Sequence, residues 1–375
     1  MNDDLDITDY LRLMVQKNAS DLFFSAGAPV NIKTEGVTSP LGERILSAAE
    51  VRQLAYSIMS DDQIKTYESS LELNMAFSIE ELGRFRINVF RQRGDSAMVV
   101  RYISSRIPSL ESLKLPPILK ELICEKQGLI LVVGSTGSGK STTLASMINH
   151  RNETITGHIL TIEDPIEFVH QHKKSVVDQR EVGLDTSSLS EALKNALRES
   201  PDVIVIGEIR DRETMLHAIH YAETGHICLS TLHANNANQT LERIINFFPD
   251  TARHGLLLDL SQHLRAIISQ RLIIGEDGKR VPAVEILLNT PFISQLIEDG
   301  RLSEIKDAMT QGTLSGMQTF DQSLYQLYKA GSINLDEAIR NADSRNNLRL
   351  KLKLEAAGKM NPDKEMKLDE DSRYD

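Results

Sequence analysis

Gly134-Ser135-Thr136-Gly137-Ser138-Gly139-Lys140-Ser141 fills every fixed position of the phosphate-loop pattern GxxxxGK[ST]. Gln127-Gly128-Leu129-Ile130-Leu131-Val132-Val133 reads as a buried strand entering the loop, and Ser141 to Arg151 as a helix leaving it. The glycines let backbone N–H groups curl around phosphate oxygens, and the helix N-terminus adds partial positive charge. In that setting Lys140 reaches the β- and γ-phosphates. The Ser141 hydroxyl, with Thr142 beside it, is placed to ligate Mg²⁺. A Gly/Ser-rich turn matching by chance would not also fall between a strand and a helix. The loop therefore implies binding of a nucleotide with Mg²⁺.

Working outward, the chain from Gly128 alternates strand and helix. Strands are predicted over His158 to Glu163, Asp202 to Glu208 and His226 to Leu232. Helices are predicted over Ser187 to Glu199, with a Ser188/Glu191 capping box, over Asp211 to Glu223, and over Asn236 to Phe247. Near-continuous apolar strands between helices predict an α/β fold with a parallel sheet covered on both faces. A mostly helical segment is expected from Thr251, and Ser303 to Ala342 reads as helix broken at Gly312, Gly316 and Gly331.

Parallel sheets bind ligands beyond the C-terminal ends of their strands. Those ends here deliver Glu163-Asp164-Pro165-Ile166-Glu167, then Gly207-Glu208-Ile209-Arg210-Asp211, then Ser230-Thr231-Leu232-His233. Phosphoryl transfer to water needs a held Mg²⁺, an aligned water and neutralised oxygens. Glu208 closes the apolar strand Val203-Ile204-Val205-Ile206 and takes the Walker-B place, holding Mg²⁺ through a water or polarising the attacking water. Glu163 and Glu167 are candidates for orienting or deprotonating that water. His233 either senses the γ-phosphate, bridges to a neighbouring subunit, or bonds locally.

Residues 1 to 105 read as a separate small α+β domain. Helices are expected at Ile7 to Lys17 and Ser47 to Met59, the second with Ser47 and Glu50 at capping-box spacing. Strands are expected at Asp21 to Phe24 and Val30 to Thr34. Phe85, Ile87 and Val89 alternate with Arg84, Arg86 and Asn88, and Ala97 to Ile103 follows, predicting an antiparallel meander. Arg84, Arg86, Arg91, Arg93 and Arg101 fall on it, and Arg84 and Arg86 share a face. A solvated basic face or an RNA-binding strand surface would also place arginines there, but no aromatic ladder accompanies them beyond Phe90. Arg86 and Arg101 are the candidate arginine fingers for a nucleotide on the second domain or on an adjacent subunit. Residues 106 to 120, with Pro108, Pro116 and Pro117, read as a linker.

The 375 residues suffice for two domains, and a formal net charge of −11 argues against a dedicated nucleic-acid binder. The two cysteines, Cys124 and Cys228, lie in apolar contexts and are expected to be reduced core residues. Two cysteines cannot form a four-thiolate zinc site. No apolar run approaches the length of a spanning helix, so a soluble protein is expected, meeting membranes only through partners. Residues 346–375 are rich in Lys, Asp and Glu and are expected to form a disordered tail.

Four boxes together carry a family resemblance: Gly134 to Thr143, Ile162-Glu-Asp-Pro-Ile-Glu-Phe-Val-His170, Asp202-Val-Ile-Val-Ile-Gly-Glu208 and Ser230-Thr-Leu-His-Ala234. With Ala19-Ser-Asp-Leu22 and Met317-Gln-Thr-Phe-Asp321, the chain resembles the secretion-ATPase superfamily, and within it the type IV pilus retraction motors of the PilT/PilU family, over about residues 5 to 345. The resemblance implies a PAS-like domain at 1–105, a RecA-like ATPase domain at 121–345 and a hexameric ring. It further implies ATP-driven pilus disassembly at an inner-membrane platform protein. By motif position it assigns Lys140 as the Walker-A lysine, Glu208 as the Walker-B glutamate, His233 as the histidine-box residue and Glu167 as the catalytic glutamate. Where PilT carries Ala-Ile-Arg-Asn-Leu-Ile-Arg-Glu, this chain has Pro291-Phe-Ile-Ser-Gln-Leu-Ile-Glu298, without either arginine. That departure and the charged tail point to the PilU type, an accessory working with a PilT-type motor in the cytoplasm. Three rivals remain: an assembly or secretion ATPase, a ring that binds ATP and hydrolyses little, and a nucleic-acid translocase.

Overall fold

The computed structural model describes residues 6–356 apart from 35 and 81. The chain divides into two compact units. The first comprises residues up to Ile107 together with Pro165–Gln171 and Gly183–Asp185, and the second comprises the rest.

The first unit is a six-stranded antiparallel sheet in the order β3-β2-β1-β6-β5-β4. Its strands are β1 (Asp21–Phe24), β2 (Pro29–Thr34), β3 (Val37–Ile45), β4 (Glu72–Ile79), β5 (Gly83–Gln92) and β6 (Asp95–Ile103). Helices α1 (Ile7–Gln16), α2 (Ala48–Tyr56) and α3 (Asp61–Ser70) accompany it. The alternation in β5 buries Phe85, Ile87 and Val89, which pack with Leu22, Phe24, Leu54 and Val100 into one core. The Ser47/Glu50 capping box forms as predicted, with both reciprocal hydrogen bonds present. β3, β4 and α3 escaped sequence reading. β3 is an edge strand with almost every residue exposed, so it carries no period-two pattern to detect.

The second unit is built on a seven-stranded sheet in the order β13-β12-β7-β11-β10-β8-β9. Strands β7 (Gly128–Val133), β8 (Gly157–Glu163), β9 (Ser175–Glu181), β10 (Val203–Ile206), β11 (Ile227–Leu232) and β12 (Leu264–Ile274) run parallel, and β13 (Arg280–Leu288) pairs antiparallel to β12. Helices α4 (Ile118–Ile123) and α5 (Lys140–Thr154) contribute to the core on one face. Helices α6 (Leu189–Ala196), α7 (Arg212–Glu223), α8 (Ala237–Asn246), α9 (Arg253–His263), α10 (Pro291–Glu298) and α11 (Ile305–Gln311) contribute to the core on the other. α12 (Phe320–Lys329), α13 (Leu335–Asn341) and α14 (Arg345–Ala356) form a third, smaller cluster with Ile273 and Ala283.

Several expectations change. The segment from Thr251 is mostly helical, but α9 first gives way to the long β12–β13 hairpin, closed by Gly275 N–H donating to Lys279 O at 2.7 Å. A short apolar run suits helix and strand alike, and here the β-branched Ile267, Ile268, Ile273 and Ile274 side with strand. Ser188 caps α6 by accepting from Glu191 N–H at 3.2 Å, whereas the Glu191 carboxylate pairs with Lys194 at 3.4 Å. Within the stretch read as a linker, Leu110, Leu115 and Leu119 are buried against the second sheet. Cys228 is a buried core residue as predicted, but Cys124 caps the C-terminus of α4 and is half-buried; both thiols are free. The charged stretch from 346 begins as helix α14, and the expected disordered tail beyond Ala356 lies outside the described residues.

Candidate functional site

The phosphate loop leaves β7 at Val133 and enters α5 at Lys140. Gly137 and Gly139 take φ of +77° and +88°, the left-handed region in which a side chain is strained. Gly137 has open space where a Cβ would stand, whereas Gly134 and Gly139 are closely packed. The Lys140 ammonium donates to Gly134 O and Ser135 O, both at 2.9 Å. Burial pulls the Lys140 pKa down, and the charge of Glu208 pulls it up. Ser141 and Thr142 stand at the start of α5, Ser141 exposed. The Ser138 hydroxyl is buried and has no hydrogen-bond partner among the described residues. Backbone amides in a glycine turn, a lysine and a helix-start hydroxyl form the donor set that suits a polyphosphate with Mg²⁺. Thr136 completes the loop.

Glu208 stands two residues past β10, on backbone held by Thr231, whose hydroxyl donates to Gly207 O at 2.7 Å. Both carboxylate oxygens are engaged: Oε1 lies 3.0 Å from His233 Nε2, and Oε2 accepts from Arg210 Nε at 2.7 Å. Arg210 also reaches Asp164 at 3.8 Å. His233 therefore bonds locally, to Glu208. A cleft of about 490 Å³ is bordered by Gly134, Ser135, His233, Asn235, Gln239 and Arg243, which places the phosphate loop and the histidine loop on one opening.

The acidic box divides. Glu163 ends β8, and its Oε1 accepts from Thr161 Oγ1 at 2.7 Å and from Gln179 Nε2 at 3.2 Å, which ties it to β8 and β9. Glu167 is exposed in Pro165–Gln171, a segment that belongs to the first unit, where Val169 N–H donates to Ser104 O at 3.3 Å.

The five arginines also divide. Arg86 lies directly opposite Arg101 across β5 and β6. Arg101 in turn lies opposite Asp21 on β1, which it pairs with at 2.8 Å. Arg91 is committed elsewhere, donating to Glu68 at 2.8 Å, and Arg93 sits in the β5–β6 turn with φ +51°. The predicted cluster is thus reduced to Arg84, Arg86 and Arg101 on one face, since residues of even spacing share a face.

Three further residues hold the site and were not singled out from the sequence. Gln270 on β12 bonds the phosphate loop. Arg271 donates to Asn235 O at 3.4 Å beyond His233. Glu285 on β13 accepts from Ala237 N–H at 2.8 Å and Ser269 Oγ at 3.1 Å, bracing the start of α8. The available signal was a polar residue inside an apolar strand run, which in a folded core demands a partner.

The model of the type II/IV secretion system protein family matches residues 5–342. The chain is 53% identical over 346 residues to the type IV pilus ATPase PilU of Pseudomonas aeruginosa, covering 92% of this chain and 90% of that protein. It is 42% identical over 334 residues to the retraction ATPase PilT of the same organism, covering 89% of this chain and 97% of that protein. The crystal structure of the pilus retraction motor PilT with bound ADP superposes with a TM-score of 0.86 at 42% identity, covering 92% of this chain and all of that one. With the phosphate loop, Glu208 and His233 assembled at the ends of neighbouring parallel strands, the chain belongs to the PilT/PilU family of type II/IV secretion ATPases and is an ATP hydrolase.

Proposed function

We propose that this ATPase works in type IV pilus retraction, the process behind twitching motility, as an accessory to a PilT-type motor. The single observation that carries the reading is the similarity to PilU across nine-tenths of both chains, 53% identical over 346 residues. ATP with Mg²⁺ is the substrate complex. Lys140 and the loop amides bind the phosphates, and Ser141 together with Glu208, through a water, holds the cation. Glu208 and His233 form the polar end of the site, and Glu167 is the group that activates the attacking water. Glu163 supports the position of its strand end. Arg86 and Arg101 stabilise transition-state charge as fingers in a homo-hexameric ring. The ring docks on an inner-membrane platform protein from the cytoplasmic side; among the described residues no helix is long and apolar enough to cross a membrane. The absence of both arginines from Pro291–Glu298 favours the dependent role over an independent motor.

Steady-state ATP hydrolysis by the purified protein tests this, beside Lys140→Ala and Glu167→Gln, with and without a PilT-type partner. Activity abolished in both variants and raised by the partner supports the accessory motor. Full activity in Glu167→Gln removes that residue from the chemistry. Indifference to the partner removes the accessory role.

A further inference from the structure

Gln270 lies on β12, next to β7, and is 3% exposed. Its side-chain amide makes two hydrogen bonds, both to the phosphate-loop element. Oε1 accepts from Thr143 Oγ1 at 2.6 Å, and Nε2 donates to Ser138 O at 2.8 Å. The orientation of the amide is fixed by chemistry, because a backbone carbonyl can only accept. One side chain thus joins the last arm of the loop to the first turn of α5. Both fixed glycines also pack on this residue. A Cβ on Gly139 would stand 2.7 Å from Gln270 Nε2, and a Cβ on Gly134 would stand 2.5 Å from Gln270 O.

We propose that Gln270 is a positioning residue for phosphate binding. A trans peptide holds its C=O and N–H in opposite directions. Anchoring the Ser138 carbonyl toward β12 therefore aims the Gly139 N–H away from β12, as a fixed donor. Without the anchor the Ser138 carbonyl loses its tether, and only the flanking bonds from Ser138 N–H to Ser135 O and from Thr143 N–H to Gly139 O restrain the Ser138–Gly139 peptide. The loop then orders its donors only when the anion arrives, and that ordering costs affinity. Thr143 takes part because its hydroxyl holds the other end of the same amide. Neighbouring Ser269 and Arg271 point to the opposite face of β12 and reach Glu285 and Asn235, so they cannot substitute for it.

The test rests on the nucleotide site described above and uses the full chain with a fluorescent ADP and Mg²⁺. Gln270→Leu, which loses both hydrogen bonds, is expected to raise the Kd about tenfold, and Thr143→Val, which loses one and leaves the Ser138 anchor, about threefold. The KM for ATP rises in parallel while kcat stays within about threefold, because saturating nucleotide orders the loop. The double variant binds no worse than the weaker single one, because both act through one amide. Thr143→Ser, which keeps the hydroxyl, restores wild-type affinity. Should Gln270→Leu fail to fold, the Thr143→Val and Thr143→Ser pair decides alone. Wild-type affinity in folded Thr143→Val, an equal defect in Thr143→Ser, or additive losses in the double variant would each overturn the proposal. Absence of ADP binding by the wild-type chain would instead overturn the nucleotide site itself.

Discussion

Glu208 Oε1 stands 3.0 Å from His233 Nε2. The two residues follow neighbouring parallel strands, β10 and β11, whose register pairs Ile206 with Ser230. The contact is therefore a product of strand adjacency, and it couples the Glu208 carboxylate to the loop that carries His233.

Glu208→Gln preserves shape and removes the charge. Nucleotide binding is expected to persist while kcat falls about 10²- to 10³-fold, the scale for losing one electrostatic group at a transition state. His233→Ala frees one carboxylate oxygen without removing the charge and is expected to cost about tenfold, roughly one charged hydrogen bond. Steady-state hydrolysis beside fluorescent ADP binding separates the two. Equal losses in both variants would mean that the histidine does more than hold Glu208.

Arg86 and Arg101 face each other across β5 and β6, and like charges directly opposite are unfavourable in a sheet. Asp21 relieves Arg101 only. Arg86→Ala is therefore expected to leave the melting temperature unchanged or slightly higher. If Arg86 serves as a finger, kcat falls by about 10³ with ADP affinity kept. A stable variant with full activity would leave Arg86 as an ordinary surface residue.

Burial pushes the Glu285 carboxyl up to about 7, with Asp343 acting in the same direction. The hydrogen bonds from Ala237 and Ser269 and the charge of Lys306 pull it back. An acid whose folded pKa is raised holds its proton more tightly when folded. Its contribution is full below the unfolded value near 4.5 and is lost as pH rises through about 7. The gap corresponds to about 3 kcal/mol. Glu285→Gln removes the titration, so its melting temperature should match wild type near pH 5 and exceed it by several degrees near pH 8. A pH-independent difference would show that Glu285 does not titrate in this window.

Arg151 is buried, and its Nη1 donates to Ile123 O at 2.6 Å and Glu125 O at 2.8 Å, tying α5 to the end of α4. Arg151→Met keeps the apolar stem and strands both carbonyls. Chemical denaturation is expected to show a loss of about 2–4 kcal/mol. A loss under 1 kcal/mol would mean that water reaches those carbonyls.

Much of the second unit was legible in the sequence. The apolar runs at Leu129 to Val133, Val203 to Ile206 and Ile227 to Leu232 are buried throughout, as a sheet covered on both faces requires. Asp211 and Asn236 announced their helices because capping is decided within three residues. β12 and β13 were not legible, since the run from Leu264 offers the same apolar density to a helix or a strand. Arg91 looked like its neighbours on β5 until α3 supplied Glu68 as a partner.

By itself the sequence determined the phosphate loop, the acidic and histidine strand ends and the α/β rhythm. Each depends on residues within a few positions of one another, where backbone geometry and side-chain reach are local. The tertiary structure alone decided that Thr143 meets Gln270, 127 positions away, that Glu208 meets His233, and that Arg86 faces Arg101. Those pairings follow from which strands lie side by side. Strand order is set by packing the whole sheet against its helices, and no local stretch of chain encodes it.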